Sequence, residues 1–273
     1  MKKSIFLIPI IMSFFMFLCS CNNTKKKDKN SSTESTSKSL ETTTSSESTF
    51  ATSTNESTST NEFEVTFKYE LNSENNGYVI YNDVNSVDIN KVTNITIPST
   101  YNGLPVTDIG EYAFLNFTSL SKVILSENIK IIWDYAFFNC TSLKSITFPD
   151  SLMIIQASAF RNCTSLESIT ILDNIKVISN WAFRNCSSLK SVTFGCSNLT
   201  SDNNIFEECI SLDSVTFLKT VKVLHLSIFC GLKSLNSFTY EGTVSEWNLV
   251  SKEDFEYCSN ITKIICKDDI INI

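Results

Sequence analysis

The sequence predicts a repeat solenoid: a right-handed coil of short stacked units, mostly β-structure, with parallel β-sheets, short helical or irregular turns and an N-terminal β cap. Phenylalanine recurs at an interval of 23 residues, at Phe114, Phe137, Phe160, Phe183, Phe206 and Phe229. After each of these comes a short run such as "LKSITF", in which apolar and hydroxyl side chains alternate. Alternation with a period of two residues marks a strand with one buried face. Because a unit of 23 residues is too small to bury that face alone, equivalent strands of successive units are expected to pair in a stack.

Residues 1–21, "MKKSIFLIPIIMSFFMFLCSC", have the form of a secretory signal. Lys2 and Lys3 precede an apolar stretch that is too short for an ordinary membrane span. The stretch ends in "LCSC", which resembles the lipobox of bacterial lipoproteins; that resemblance implies that Cys21 carries lipid and becomes the mature N-terminus. The alternative is an ordinary cleaved signal. Lipidation predicts a secreted protein, anchored to a bacterial membrane and exposed on the outer side of the cell.

Residues 22–62 are almost entirely Ser, Thr, Asn, Glu and Lys, and this composition predicts a disordered tether. Directly after a lipid-bearing cysteine, such a segment serves as a spacer with a relaxed reach of roughly 35 Å. A slack tail without a role is the alternative. Residues 63–91 follow as the predicted β cap over the first coil, with hairpin signals at Asn76-Gly77 and Asn82-Asp83 between aromatic-rich runs.

Residues 92–273 carry the repeats. Their pattern, "AFxNCTSLxSITFPxSLxxI", resembles the BspA-type leucine-rich repeat of bacterial surface proteins. The segments "ITIPSTYNGLPVTDIGEYAF", "YEGTVSEWNLV" and "IICKDD" resemble the entry repeat and the closing segment of that family. The resemblance implies a leucine-rich-repeat-like coil and binding to extracellular matrix proteins. One unit, "CSNLTSDNNIF", lacks the second apolar group of the pattern, and a distorted or mobile coil is expected there.

Four cysteines, Cys140, Cys163, Cys186 and Cys209, share one repeat position and are expected to lie above one another in the stack. Such a column is consistent with core packing, with disulfides or with a metal ladder. Zinc ligands surround a single metal ion, whereas side chains stacked in a column do not surround a common point. Phe117 and Leu232 occupy the same position, which favours the apolar core. Cys230 and Cys266 are the expected exceptions.

The formal net charge of -7 argues against a nucleic-acid-binding surface. The sequence contains no Gly-rich phosphate loop and no G-x-S-x-G motif, and His225 is the only histidine. No enzymatic activity, catalytic residue, cofactor or metal site is therefore predicted.

Two faces of the predicted solenoid are candidates for binding. The first is the outward side of the strands, with Ser145, Thr147, Ser168, Thr170, Ser191 and Thr193, although Thr pairs also stabilise sheets without binding anything. The second is the position before the repeated Ala-Phe, where Tyr112, Tyr135 and Trp181 stand with Ser158. Trp133, Arg161 and Arg184 lie near this position in the sequence, and aromatic and Arg side chains are enriched in binding hot spots. Half-buried packing is the alternative for these aromatics, and packing is the expectation for Trp247.

The order of lipid anchor, spacer and solenoid predicts a surface-displayed, adhesin-like binding protein for an extracellular protein or glycan. The alternative is a structural lipoprotein that organises envelope components of its own cell. Long regular faces suit either role.

Overall fold

The structure, a computed structural model, describes residues 65–83, 88–196, 200–201, 204–229, 232–253 and 260–273. The predicted signal, the predicted lipidation site Cys21, the whole predicted tether 22–62 and residues 63–64 and 84–87 of the predicted cap lie outside these residues, as do Cys230 and Cys258. Within the described ranges, no helix has the length and apolar character that crossing a membrane requires.

The architecture is a β-solenoid with little helix. In chain order the strands are β1 (Phe67–Leu71), β2 (Tyr78–Asn82), β3 (Asn94–Thr96), β4 (Thr100–Tyr101), β5 (Leu104–Ile109), β6 (Lys122–Ile124), β7 (Ile131–Ile132), β8 (Ile154–Ile155), β9 (Ser168–Ile171), β10 (Val177–Ile178), β11 (Ser191–Phe194), β12 (Thr200–Ser201), β13 (Ser214–Phe217), β14 (Val223–His225), β15 (Ser237–Tyr240), β16 (Ser251–Glu253), β17 (Lys263–Ile265) and β18 (Ile270–Asn272). A 3-10 helix spans Leu226–Phe229, and helix α1 spans Val244–Leu249.

The alternating runs form the first sheet, here called the hydroxyl sheet. Strands β9, β11, β13, β15 and β17 pair in parallel, and β18 adds an antiparallel edge. Strands β3 and β6 pair in parallel at the N-terminal end, and Ser145 bridges β6 to β9. The parallel pairing of equivalent strands one coil apart confirms the predicted solenoid.

The second apolar groups form the other sheet. Strands β5, β7, β8, β10 and β12 pair in parallel, each one coil from the next. This sheet ends at β12, the strand of the unit that lacks the second apolar group, and β14 and β16 form a separate sheet. The interruption therefore falls where the repeat pattern fails.

The core lies between the two sheets and is built around the recurring phenylalanines. All six are at most 1% exposed. Their rings stack in one column, with neighbouring centroids 5.1 to 5.7 Å apart. Each coil thus buries its ring against the coils before and after it, which is why an isolated coil has no core of its own.

The N-terminal cap is an antiparallel hairpin of β1 and β2 that extends the second sheet, because β2 pairs in parallel with β5. The ring of Phe67 packs edge-on against Phe114, the first member of the column, at 6.3 Å. In the hairpin loop, a Cβ at Gly77 would lie 2.7 Å from the side chain of Thr107, so only glycine allows this close approach.

Helix α1 belongs to the closing segment and begins with a capping box between Thr243 and Glu246. It buries Trp247, which is 3% exposed, against Tyr240 and Phe217. The packing role expected for Trp247 is confirmed.

Candidate binding surfaces

The outward side of the hydroxyl sheet presents two files of hydroxyl groups. The strand register places Ser191 beside Ser168 and Ser214, and Thr193 beside Thr170 and Thr216. The residues between them point inward and are buried, whereas the hydroxyl residues are exposed or half-exposed. We call this surface the hydroxyl face; it consists of Ser145, Thr147, Ser168, Thr170, Ser191, Thr193, Ser214, Thr216, Ser237 and Thr239. The alignment follows the predicted pattern, and a role in binding stays a prediction.

The hydroxyl sheet is irregular at one coil, residues 145–149, where a full strand was predicted. There only Ser145 forms bridges to its neighbours. In three later coils the residue after the strand donates its N–H to the preceding coil, as Gly195 does to Ile171 O at 2.8 Å. Pro149 occupies this position in the irregular coil and has no N–H to donate. The prediction of a regular strand here was wrong. The missing donor accounts for one absent bond only, since Leu172, which follows the next strand and has an N–H, does not bond Phe148 O either.

A groove of about 470 Å³ lies at this irregular coil. Its walls are residues 122–125 with Glu127 on one side and residues 145–150 on the other. It opens on the hydroxyl face, since Ser145 and Thr147 line it, and its exposed apolar side chain is Ile124, 47% exposed. The groove interrupts an otherwise regular surface.

The second candidate surface, the aromatic column, consists of Tyr112, Tyr135, Ser158 and Trp181. All four have positive φ, from 55° to 60°. The rings of Tyr112 and Tyr135 stack with centroids 5.1 Å apart, and Tyr112 is 49% exposed. Ser158 is 0% exposed and ends that stack. A left-handed backbone is unusual for bulky residues, and here the hydrogen bonds between coils hold it: each residue up to Ser158 donates its N–H to the next coil.

The basic side chains lie beside this column, but Trp133 does not join them. Arg161 lies over the ring of Phe138 at 5.6 Å, and Arg184 lies over Trp181 at 5.9 Å. Trp133 is 37% exposed and bonds the buried carboxyl of Asp108 instead. Sequence reasoning missed Phe138, whose ring packs on Tyr135 at 5.7 Å; its place directly after the core phenylalanine gave no signal.

Acidic side chains already neutralise Arg184. Its guanidinium lies 2.9 Å from Glu208 and 3.6 Å from Glu207. The hydrogen bond from Arg184 holds the pKa of Glu208 below its ordinary value. An acidic partner at this point would have to displace two carboxylates, which weakens the case for the aromatic column as an anchor site.

Four buried polar atoms near the aromatic column, Ser158 Oγ, Arg161 Nε, Asn180 Oδ1 and Trp181 Nε1, have no hydrogen-bond partner among the described residues. Each such atom costs about 1–3 kcal/mol. Because these four atoms are buried, a ligand on the surface of the coils around Ser158 does not reach them.

Sequence reasoning also missed the role of the asparagines that begin "NCTSL". Asn116, Asn139, Asn162 and Asn185 have φ between 56° and 64°. Asn tolerates this left-handed conformation better than most residues. Its side chains also bond across coils, as from Asn139 Nδ2 to Asn116 Oδ1 at 2.8 Å. The signal was present, since the same residue recurs where the chain must turn.

The cysteine column is part of the core, as predicted. Cys140, Cys163 and Cys186 are 0% exposed and Cys209 is 1% exposed, and all four are free thiols. Each Sγ donates to the carbonyl of the core phenylalanine in the preceding coil at 3.1 to 3.3 Å. Burial raises the pKa of the Cys163 thiol to about 12. The described ranges hold no group of three or more side chains that could bind a metal ion together.

Of the expected exceptions, Cys266 is a free thiol and 8% exposed, while Cys230 lies outside the described residues. Burial raises the pKa of the Cys266 thiol. Cys266 is therefore packed like the column and does not depart from it as expected.

Stacked parallel coils with one exposed sheet define a leucine-rich-repeat scaffold. The chain belongs to the BspA-type leucine-rich repeat family, whose model matches residues 107–236 and 197–273 in 6 copies. Proteins of this class are typically binding scaffolds and not enzymes.

Solved structures of bacterial repeat proteins have the same fold. A leucine-rich repeat protein of T. pallidum is 28% identical with a TM-score of 0.57, over 71% of this chain and 87% of that protein. The pneumococcal vaccine antigen PcpA is 19% identical with a TM-score of 0.51, over 72% of this chain and 49% of that protein, and shows the fold alone. Comparison with the curated proteins gives no match.

Proposed function

We propose that this protein is a membrane-anchored, surface-exposed binding protein whose solenoid recognises an extracellular protein or glycan, in the manner of an adhesin. The observation that carries the proposal is the hydroxyl face with its groove, a long regular surface with one local recess. A flat sheet of exposed side chains suits a macromolecule better than a small metabolite.

The hydroxyl face supports this function better than the aromatic column does. Its Ser and Thr side chains are accessible along the strands from Ser168 to Thr239. In the aromatic column, Ser158 is buried and Arg184 is already paired with acidic side chains. Hydroxyl groups donate and accept hydrogen bonds, so they can meet either a peptide backbone or a sugar.

The anchor and the spacer support display on the outer side of the cell. A lipid on Cys21 followed by the polar segment 22–62 would hold the solenoid away from the membrane surface. Labelling cells with a fatty-acid analogue tests this step: the protein is expected to carry the label, and Cys21→Ser is expected to lose it. Retention of the label by that variant contradicts lipidation at Cys21.

Binding is tested with protein lacking residues 1–21, applied to immobilised matrix proteins and to a glycan array. We expect saturable binding that Thr170→Arg and Thr193→Arg weaken, because both residues lie on the hydroxyl face. The matched control is Tyr112→Arg on the other candidate surface, which is expected to bind normally. Absence of saturable binding, combined with crosslinks on intact cells to the cell's own envelope proteins alone, would favour the scaffolding role.

A further inference from the structure

The second sheet ends at strand β1, which pairs with β2 on one side and with no described strand on the other. Two hairpin bonds show which backbone groups of β1 face β2. Asp83 N donates to Thr66 O at 3.1 Å just before the strand, and Asn72 N donates to Gly77 O at 2.9 Å just after it. Because bonded pairs alternate along an antiparallel ladder, the even-numbered residues of β1 bond to β2, and the odd-numbered residues direct their N–H and C=O groups away from it.

The outward backbone groups belong to Phe67, Tyr69 and Leu71, and no backbone hydrogen bond of the described residues involves them. Such an edge is a template for another strand, because its N–H and C=O groups are spaced to bond an extended chain. The edge strand β18 belongs to the hydroxyl sheet, so pairing β1 with β18 of another copy would join strands of two different sheets. Two β1 edges, by contrast, are edges of the same sheet.

The side chains of β1 complement those of a second copy of the same strand. Its sequence, "FKYEL", places Lys68 and Glu70 symmetrically about Tyr69. In an antiparallel pair centred on Tyr69, Lys68 of each copy lies opposite Glu70 of the other, and Phe67 lies opposite Leu71. Opposite charges and apolar side chains directly across a ladder stabilise it. The apolar partner also covers Leu71, which is 49% exposed.

The two charged side chains are free to reach a second copy. Lys68 and Glu70 are 67% and 50% exposed, and within one chain Lys68 Nζ lies 2.9 Å from Glu70 Oε1. In the pair of strands the four groups therefore form one cluster in which each charge has neighbours of the opposite sign. Charge networks contribute more than an isolated exposed ion pair does.

Only the register centred on Tyr69 avoids like charges. An axis at Lys68 would place two ammonium groups opposite each other, and an axis at Glu70 would place two carboxylates opposite each other; both arrangements are destabilising. The Tyr69 register also uses all three outward residues, since Phe67 of each copy pairs with Leu71 of the other and Tyr69 pairs with its own copy. Each of these pairs exchanges two backbone hydrogen bonds. Charge and hydrogen bonding thus select the same alignment.

We infer that this protein forms a two-fold symmetric dimer in which the β1 strands of two copies pair antiparallel about Tyr69 and join their second sheets. A two-fold interface uses the same surface on both copies, so it closes at two copies and does not extend into a filament. The hydroxyl face lies on the other sheet and takes no part in the pairing. The dimer is therefore independent of the proposed function, although two linked binding surfaces would raise avidity for a repetitive ligand.

Sedimentation equilibrium of protein lacking residues 1–21, over a series of concentrations, tests the dimer. We expect a concentration-dependent dimer, and we expect Lys68→Glu and Glu70→Lys each to raise its Kd at least about tenfold, because each places like charges opposite each other. The matched control is Lys176→Glu, which reverses the Lys of an exposed ion pair in a central coil and is expected to leave the Kd unchanged. A monomer at every concentration, or equal effects of Lys68→Glu and Lys176→Glu, refutes the inference.

Mixing the two variants tests the register. Lys68→Glu carries only carboxylates at the two positions and Glu70→Lys only ammonium groups, so an equimolar mixture is expected to form a heterodimer with a Kd near that of the unmodified protein. The double variant, Lys68→Glu with Glu70→Lys, is expected to form its own dimer again. Both results also show that the variants are folded. If neither the mixture nor the double variant recovers dimerisation, the alignment about Tyr69 is wrong.

Amide hydrogen exchange, followed by NMR, tests the strand pairing itself. The amides of Phe67, Tyr69 and Leu71 are expected to exchange more slowly as the protein concentration rises, because dimerisation gives them acceptors. The amides of Lys68 and Glu70 already bond to β2 and are expected to change little. A dimer without this alternation would overturn pairing through β1. Slow exchange of the three outward amides in a monomer would show that the chain itself covers this edge, which also contradicts the inference.

Discussion

Removing the ring of Phe160 should test whether neighbouring coils hold one another together. Phe160 is 0% exposed and stacks on Phe137 at 5.1 Å and on Phe183 at 5.2 Å. A buried Phe→Ala change costs about 3–5 kcal/mol. Phe160→Leu keeps most of the apolar volume and loses both stacked neighbours, at about 0.5–1.5 kcal/mol each, so a loss of about 1–3 kcal/mol is expected.

The measurement is equilibrium unfolding in urea, followed by circular dichroism of the sheet signal. A double-mutant cycle of Phe160→Leu and Phe183→Leu measures the coupling free energy between the two rings. We expect a coupling of about 0.5–1.5 kcal/mol, because the two rings are in contact. The control cycle pairs Phe137→Leu with Phe183→Leu, two rings that Phe160 separates, and is expected to be additive. Equal coupling in both cycles, or a loss below about 0.5 kcal/mol for Phe160→Leu, would refute the account of a core formed between coils.

Three further predictions concern buried polar groups and the turn. Cys163 should react with a thiol reagent at pH 8 far more slowly in the native protein than in urea, because burial raises its pKa to about 12; equally fast labelling would contradict its place in the core. Asp108→Asn should raise the urea midpoint at pH 7. Burial raises the pKa of Asp108 in the folded state above its unfolded value, so ionisation of this carboxyl destabilises the folded protein progressively between those two pKa values and by a constant amount above them. The gain from the substitution should therefore vanish on acidification. Asn139→Ala should cost about 1–2 kcal/mol in urea unfolding, and Asn139→Gly less, because φ is 61° there; equal losses would exclude backbone strain as the cause.

The repeat period and the alternation of side chains allowed the stack itself to be predicted. A period of 23 residues with inward residues at fixed positions leaves one solution, in which each position forms a column. The buried cysteines, the phenylalanine column and the outward Ser and Thr residues all follow from that rule. Burial of Trp247 was also predictable, because a large aromatic in the closing segment covers the end of the core.

The details of the candidate sites could not be predicted, because they depend on contacts between coils. Trp133 and Arg161 are close in the sequence, yet Trp133 bonds Asp108 and Arg161 lies over Phe138. Ser158 and Tyr135 share one repeat position, yet Ser158 is fully buried while Tyr135 keeps part of its surface. Such differences in burial depend on the sizes of the side chains in neighbouring coils. The repeat pattern alone does not specify which of these side chains come into contact.

The sequence by itself determined that the chain forms a solenoid, which residues face inward, and that any recognition must use an outer side, since a strict period fixes each residue's direction in the coil. Only the tertiary structure decided where that outer side opens. Residues 145–149 carry the same alternation as the later strands, yet only Ser145 bridges its neighbours, and this difference exists only between stacked coils. The groove is therefore a property of neighbouring coils and not of any single repeat.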